Sequence, residues 1–290
     1  MTWILLVLFY GLAKGFRDVI KKKALTKNTV MEVLFVYTFI AFVFCIPDIG
    51  NSLNLPTQYY FLIAIKSFVI FLAWIFSFNA IDNLPISVYG VIDLSRIIFS
   101  TMFGIFVLGE IITINGGIGL ILVIAGLVLL KILPIIIAKK KGLVKGLNEE
   151  KFDKKFVILA LLSCLLNGLS GCLDKVYMKD INSSQLQFWY MAYLVIFYGL
   201  YFAVKRIKVD KSVWKNGWIW LLSAIFFLAD KALFIANSIS ESKVTIMTLI
   251  KQSSCIIAIL AGKFIFKEKN IGYKVVCALL VICGIVISTL

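Results

Sequence analysis

The chain has 290 residues, of which 61% are hydrophobic, and its mean hydropathy is +1.00. One soluble core of this size could not bury so much apolar surface, so lipid must cover much of it. The formal net charge is +15, but the basic residues lie in short loops between apolar runs and form no stripe on a soluble domain, which argues against nucleic-acid binding.

Continuously apolar runs of about 18 to 22 residues follow one another along the chain, and this length crosses a hydrocarbon layer about 30 Å thick. The runs lack the alternation of β-barrel strands, so their backbone groups must be satisfied within helices. We therefore predict an all-α integral membrane protein. Its ten spans are predicted near residues 2–20, 30–47, 58–79, 84–107, 112–133, 156–177, 186–204, 216–238, 243–266 and 271–289.

The two halves of the sequence resemble each other at a nearly constant offset. The segment ending in Asp18 matches the segment ending in Asp174, 156 residues later, and Glu110 matches Glu268 at 158. Because each half holds an odd number of spans, the second half must enter the membrane from the opposite side. We predict ten transmembrane helices in two inverted five-helix repeats. The repeats are residues 1–137 and 156–290, joined by a basic linker at 138–155.

In each half, a span that ends just before a glutamate leads into a glycine-containing apolar helix. Glu110 precedes the helix that begins near Gly116, and Glu268 precedes the one that begins near Gly272. With this pattern the chain resembles the EamA-type ten-helix branch of the drug/metabolite transporter superfamily over essentially its whole length. The resemblance implies a central cavity surrounded by spans one, three, four, six, eight and nine, with spans five and ten outside. Family members often carry a proline in spans four and nine, where this chain has Ile97 and Cys255, so the sequence does not support a kink there.

Several charged side chains fall within the predicted spans. Each costs at least about 2.5 to 3.5 kcal/mol at bilayer depth, so it needs a partner, a wet cavity or a function. In the fourth span, Tyr89, Asp93, Arg96 and Ser100 recur at helical spacing, and we predict that this face points inward. A second polar stripe lies in the ninth span. The candidate substrate or coupling residues are Asp18, Tyr89, Asp93, Arg96, Asp174, Asp230, Lys231, Lys251 and Gln252, and no residue is predicted to be catalytic or to bind metal.

Structural roles are the alternative for these charges. The neighbours Asp93 and Arg96 could form an ion pair that only registers helices, and the same holds for Arg17 and Asp18. Lys66 lies about eight residues into its span and is predicted to snorkel towards a lipid head group. Lys251 is the sharpest cavity candidate, because it lies about eight residues from either end of its span and has no acidic neighbour in sequence.

These observations favour a secondary transporter, a permease that moves a small polar metabolite by alternating access. The chain has no GxxxxGK[ST] motif for ATP, and it has no histidine or metal-spaced cysteines, so we expect neither an enzyme nor a cofactor. The modest excess of cations in the presumed cavity favours an amphoteric or anionic solute over a lipophilic cation. A lipid flippase and a non-transporting receptor or scaffold are the alternatives.

We expect a multi-pass protein of the cell membrane whose partners are membrane lipids and a small polar or zwitterionic solute. Without histidine, any coupling proton would have to use carboxylates. A homodimer is left open, and no nucleic acid is expected. Lysine-rich loops alternate with loops that hold almost none, so the positive-inside rule places both termini outside, whereas the family resemblance implies both inside.

Overall fold

The computed structural model describes residues 2–84, 86–93, 95–140, 153–265 and 272–289. Over these residues the regular elements are twelve α-helices and two short 3-10 turns, at Ile46–Asn51 and Val213–Lys215. The α-helices are α1 (Thr2–Leu25), α2 (Val30–Cys45), α3 (Thr57–Asn83), α4 (Ile86–Asp93), α5 (Arg96–Leu108), α6 (Ile114–Lys140), α7 (Lys154–Tyr177), α8 (Ser183–Lys205), α9 (Gly217–Ser238), α10 (Val244–Lys251), α11 (Ser254–Phe264) and α12 (Gly272–Thr289).

These helices make ten membrane spans, because α4 with α5, and α10 with α11, are the two halves of one interrupted span each. Within the described ranges, five helices are long and apolar enough to cross a membrane alone: α3, α7, α8, α9 and α2 with its following turn. The first span is equally long but carries many charges. The predicted all-α, ten-span fold is confirmed. Most of the predicted linker lies outside the described residues, so the repeat boundaries stay a prediction.

The contacts between helices follow the same pattern when each helix is replaced by its counterpart in the other repeat. α1 packs on α9 as α7 packs on α3, and α11 packs on α1 as α5 packs on α7. α4 contacts α11 as α10 contacts α5, while α6 and α12 pack on each other. Since each half contributes five spans, the two halves are inverted repeats whose principal contacts cross from one repeat to the other.

The second span of each repeat begins with the same local device. Thr29 accepts the backbone N–H of Glu32, whose carboxylate accepts the backbone N–H of Thr29 in return. Asn182 and Gln185 form the same reciprocal pair at the start of α8. Such capping boxes satisfy N–H groups that the first helical turn leaves free, so these helix starts are encoded locally.

A lysine of the first span in each repeat binds carbonyls at the end of the third span. Lys22 donates to the carbonyl of Leu84 at 2.6 Å, and Lys175 donates to the carbonyl of Ile239 at 2.7 Å and to the hydroxyl of Ser242 at 2.6 Å. A cation at a helix C-terminus offsets the partial negative charge of its free carbonyls. These contacts fix how the charged first helix sits against the third in each half.

Candidate solute-binding site

A cavity of about 80 Å³ lies between the repeats. Its walls come from α1, α3, α4, α5, α7, α9 and α10, with one tyrosine each from α2 and α8. The walls therefore include every span that the resemblance implied. Each described side chain that lines the cavity is buried or half-buried. The space suits a few water molecules or a very small solute, and its polar walls are of the kind that keeps water ordered.

Close contact between backbones brings α1 to the interruption of the ninth span. A Cβ atom added at Gly11 would lie 2.3 Å from Oγ of Ser253, and one added at Gly15 would lie 2.6 Å from Cβ of Ile257. Only glycine allows helices to approach this closely. The Gly11–Gly15 pair therefore packs inside the molecule and sets the charges of α1 beside the middle of the ninth span.

The first charged group in the cavity wall is centred on Asp93, the last residue of α4. Nη2 of Arg96 donates to Oδ1 of Asp93 at 2.6 Å across the interruption, and Lys14 from α1 forms an ion pair with the other carboxylate oxygen. Lys14 also donates to Oγ of Ser254 at 3.3 Å. The pair of Asp93 and Arg96 that the sequence suggested is thus present, and one carboxylate binds a buried lysine and a half-buried arginine.

A second ion pair joins α1 to α9. Nη1 of Arg17 donates to Oδ1 of Asp230 at 3.1 Å, and Nη2 donates to the hydroxyl of Tyr10 at 3.2 Å. The alternative pairing of Arg17 with Asp18 is wrong, because consecutive residues on a helix do not face each other. Asp18 instead accepts from Lys21, one turn later, at 2.9 Å.

The third pair joins α3 to α7 and corrects another prediction. Lys66 is only 1% exposed, and its Nζ lies 2.9 Å from Oδ1 of Asp174, at an angle that makes no hydrogen bond. Nζ of Lys66 also lies 3.7 Å from the ring centroid of Tyr190 and 5.2 Å from that of Phe234. The predicted snorkelling of Lys66 is wrong, because an acid and two aromatic faces compensate its charge inside the bundle.

Lys251, the last residue of α10, differs from every other cation of the cavity. Within the described part of the chain it has neither a salt bridge nor a hydrogen bond from its ammonium group. Its Nζ lies 5.5 Å from the ring centroid of Tyr10, and the side chain is half-buried. The guanidinium of Arg17 lies over the same ring at 5.1 Å. The ring of Tyr10 therefore lies near one paired cation, Arg17, and one unpaired cation, Lys251.

The remaining candidates divide into two groups. Tyr89 lines the cavity and shares a hydrogen bond with Ser77 at 2.7 Å. Lys231 does not line the cavity and donates to Asp48 at 2.7 Å and to the hydroxyl of Ser184, at the start of α8, at 2.6 Å. Gln252 is fully buried but is not among the cavity-lining residues. Six of the nine candidates line the cavity: Asp18, Tyr89, Arg96, Asp174, Asp230 and Lys251. Asp93 does not line it but pairs with Lys14 and Arg96, which do.

Four cavity residues that carry the contacts described above were not among the predicted candidates: Tyr10, Lys14, Arg17 and Lys66. Tyr10 has no polar neighbour in sequence and resembles an ordinary apolar-helix aromatic. Its one signal is position, since Lys14 and Arg17 follow at i+4 and i+7 on the same helical face. Lys14, Arg17 and Lys66 are recognisable in the sequence as charged residues within predicted spans.

Spans four and nine are interrupted at equivalent positions without proline. The backbone N–H of Ser95 bonds three residues back to Ile92, and that of Ser253 bonds three residues back to Ile250. Ser95 and Ser253 are 158 residues apart and each precedes the second helical segment. The absent prolines therefore do not leave these spans continuous. Interrupted helices direct backbone dipoles towards the middle of the membrane, where transporters bind solutes.

The glutamate that follows the fourth span caps the ninth. The carboxylate of Glu110 accepts from the backbone N–H groups of Val244 and Thr245, at 2.5 and 3.0 Å, and from the Thr245 hydroxyl at 2.7 Å. It thereby satisfies N–H groups at the start of α10 across the repeat boundary. The corresponding Glu268 lies outside the described residues.

Two inverted five-span repeats, with a charged cavity at their interface, define a multi-pass membrane protein of the transporter class. The model of the EamA-like transporter family matches residues 1–132 and 154–290, and the chain belongs to this family, part of the drug/metabolite transporter superfamily. Members of the family are transporters and not enzymes. No curated protein matches the chain. One crystal structure is similar in fold, with a TM-score of 0.68 and 15% identity over 99% of this chain and 94% of its own.

Proposed function

We propose that this protein is a permease of the cell membrane that carries a small polar or zwitterionic metabolite by alternating access. The observation that supports it is the position of the ionic side chains. They come from both repeats, they meet at the interface between the repeats, and they surround a space large enough for a few water molecules. A cavity between two inverted repeats can open to either face when the repeats tilt against each other.

The small volume suits a conformation closed towards both faces. Ser100 of α5 lines the cavity and is 3% exposed, so reagents reach it only if the bundle opens. Alternating access predicts that a cysteine at this position, in a variant without the six native cysteines, is labelled by a membrane-impermeant maleimide added from either side. Labelling from neither side, together with absent flux, would support a scaffold or receptor instead.

Transport itself is tested in proteoliposomes loaded with unlabelled solute and given trace radiolabel outside. We expect counterflow with small zwitterions or organic anions and none with tetraphenylphosphonium. Uptake of the lipophilic cation without uptake of zwitterions would contradict the proposal, and movement of labelled phospholipid between leaflets would favour the flippase alternative.

A coupling proton, if used, would run through a carboxylate of the cavity. Each of the four candidates carries a cationic partner in this structure: Asp18, Asp93, Asp174 and Asp230. Protonation would release that partner, so coupling predicts solute accumulation when the proteoliposomes are given a pH gradient. Equal counterflow with and without the gradient, and no accumulation, would remove the proton from the mechanism.

A further inference from the structure

The two interrupted spans carry opposite charges at the same position. Asp93 ends the first segment of span four, and Lys251, 158 residues later, ends the first segment of span nine. The surroundings of the two residues differ. Asp93 is neutralised by Lys14 and Arg96, whereas the positions equivalent to these two cations in the second repeat hold Ser170 and Ser254.

The second repeat thus has a cation at its interruption and, among the described residues, no acid within salt-bridge distance of it. Asp174 and Asp230 act on Lys251 only from farther away, and each is paired with another cation. The other cavity cations are all paired within the described residues: Lys14 and Arg96 with Asp93, and Arg17, Lys21 and Lys66 with one aspartate each. Six cations and four acids leave a net positive charge. Nε of Arg17 and Nε of Arg96 are also buried donors without a partner in this part of the chain, while Oδ1 of Asp174 is a cavity-wall acceptor without a hydrogen bond but beside the ammonium of Lys66. Unmatched charge and unmatched donors are costly in a membrane interior and favour an anionic ligand.

We propose that the solute supplies the carboxylate that the second repeat lacks, and that Lys251 is the residue that binds it. The ammonium group is positioned by the face of Tyr10, which leaves its donors free to bind a carboxylate oxygen. The substrate class is therefore a small carboxylate, either a simple organic anion or the carboxylate end of a zwitterion, and organic cations are rejected by charge. This inference rests on the proposed function and adds its recognition step.

The test uses purified full-length protein and measures its melting temperature in acetate, lactate, glycine, alanine and tetramethylammonium chloride. A ligand that binds only the folded state raises this temperature. We expect at least one carboxylate to raise it and tetramethylammonium to leave it unchanged.

Lys251→Gln should raise at least tenfold the carboxylate concentration needed for the same stabilisation, while Lys251→Arg should leave that concentration unchanged. Lys263→Gln is the matched control, because Lys263 is exposed on α11. No response to any of the four carboxylates, or an unchanged response in Lys251→Gln, overturns the proposal.

A second variant tests the inference without relying on the choice of solute. Ser170→Asp places an acid where the first repeat has Lys14, so it should raise the melting temperature relative to the neutral Ser170→Asn and should block stabilisation by carboxylates. In a Lys251→Gln background the gain from Ser170→Asp should vanish. A gain that persists in that background, or no gain at all, contradicts the proposed lack of a counter-ion.

Proteoliposome counterflow separates the two proposals. Carboxylate binding without flux would support the Lys251 site and reject the permease. Flux of a carboxylate that survives Lys251→Gln would support the permease and reject the site.

Discussion

Glu110 of the first repeat binds Thr245 of the second twice, through the backbone N–H at 3.0 Å and the hydroxyl at 2.7 Å. The contact joins the end of span four to the start of span nine, where α10 begins. It is a helix cap and an inter-repeat contact at once.

Glu110→Ala removes this cap. We expect a loss of about 1 to 2 kcal/mol in the free energy of unfolding, because the capped N–H groups lose a charged acceptor. Glu110→Gln should lose less, since an amide oxygen still accepts. Thermal unfolding in detergent measures both, with Glu241→Ala as the control at an exposed acid. Equal stability of Glu110→Ala and Glu241→Ala would show that the cap contributes nothing.

The pair of Lys66 and Asp174 gives a sharper stability prediction. Lys66→Met should leave Asp174 buried without its cation and cost about 3 to 5 kcal/mol. The double variant Lys66→Met with Asp174→Asn should recover part of the loss, because both charges are then removed. A double-mutant cycle of unfolding measures this coupling. Additive losses would mean that the two charges do not stabilise each other.

Glycines at equivalent positions should respond in opposite directions. A Cβ at Gly15 would lie 2.8 Å from the carbonyl oxygen of Ser254, so Gly15→Ala should cost about 1 to 3 kcal/mol through overpacking. No atom lies within 4 Å of the Cβ position at Gly171, 156 residues later, so Gly171→Ala should gain about 0.5 to 1 kcal/mol from the helix preference of alanine. Melting temperatures of the two variants decide. A stable Gly15→Ala protein would contradict the close approach of α1 to α11.

Lys231 and Lys251 are both lysines of the second repeat's spans, but only Lys251 lines the cavity. Lys231→Gln removes a partly exposed pair with Asp48, so we expect a stability change of about 0 to 1 kcal/mol and full carboxylate-induced stabilisation. The comparison with Lys251→Gln is made in the same melting assay. Loss of the carboxylate response in Lys231→Gln would place the binding site at the start of α8 instead.

Topology is predicted from the loops. The lysine-rich loops lie at the ends of spans one, five, seven and nine, so the positive-inside rule predicts that a cytoplasm-dependent reporter is silent at either terminus. Strong reporter activity at a terminus would instead support the orientation that the family resemblance implies.

The sequence alone determined the properties that depend on local pattern. The length of the continuously apolar runs defines the ten spans, and the offset of 156 to 158 residues reveals the repeats. The pair of Asp93 and Arg96 was also predictable, because residues three apart share a helical face.

Only the tertiary structure decided which charges meet. Arg17 and Asp230 are 213 residues apart, and Lys14 and Asp93 are 79 apart. Periodicity places a side chain on a face of its own helix but does not say which helix packs on that face. In the sequence, Lys66 and Lys251 are both lysines within apolar spans with no acidic neighbour, and nothing local says which of them has a counter-ion. Packing puts an aspartate against Lys66 and leaves Lys251 beside a tyrosine ring, and the proposed carboxylate site rests on that difference.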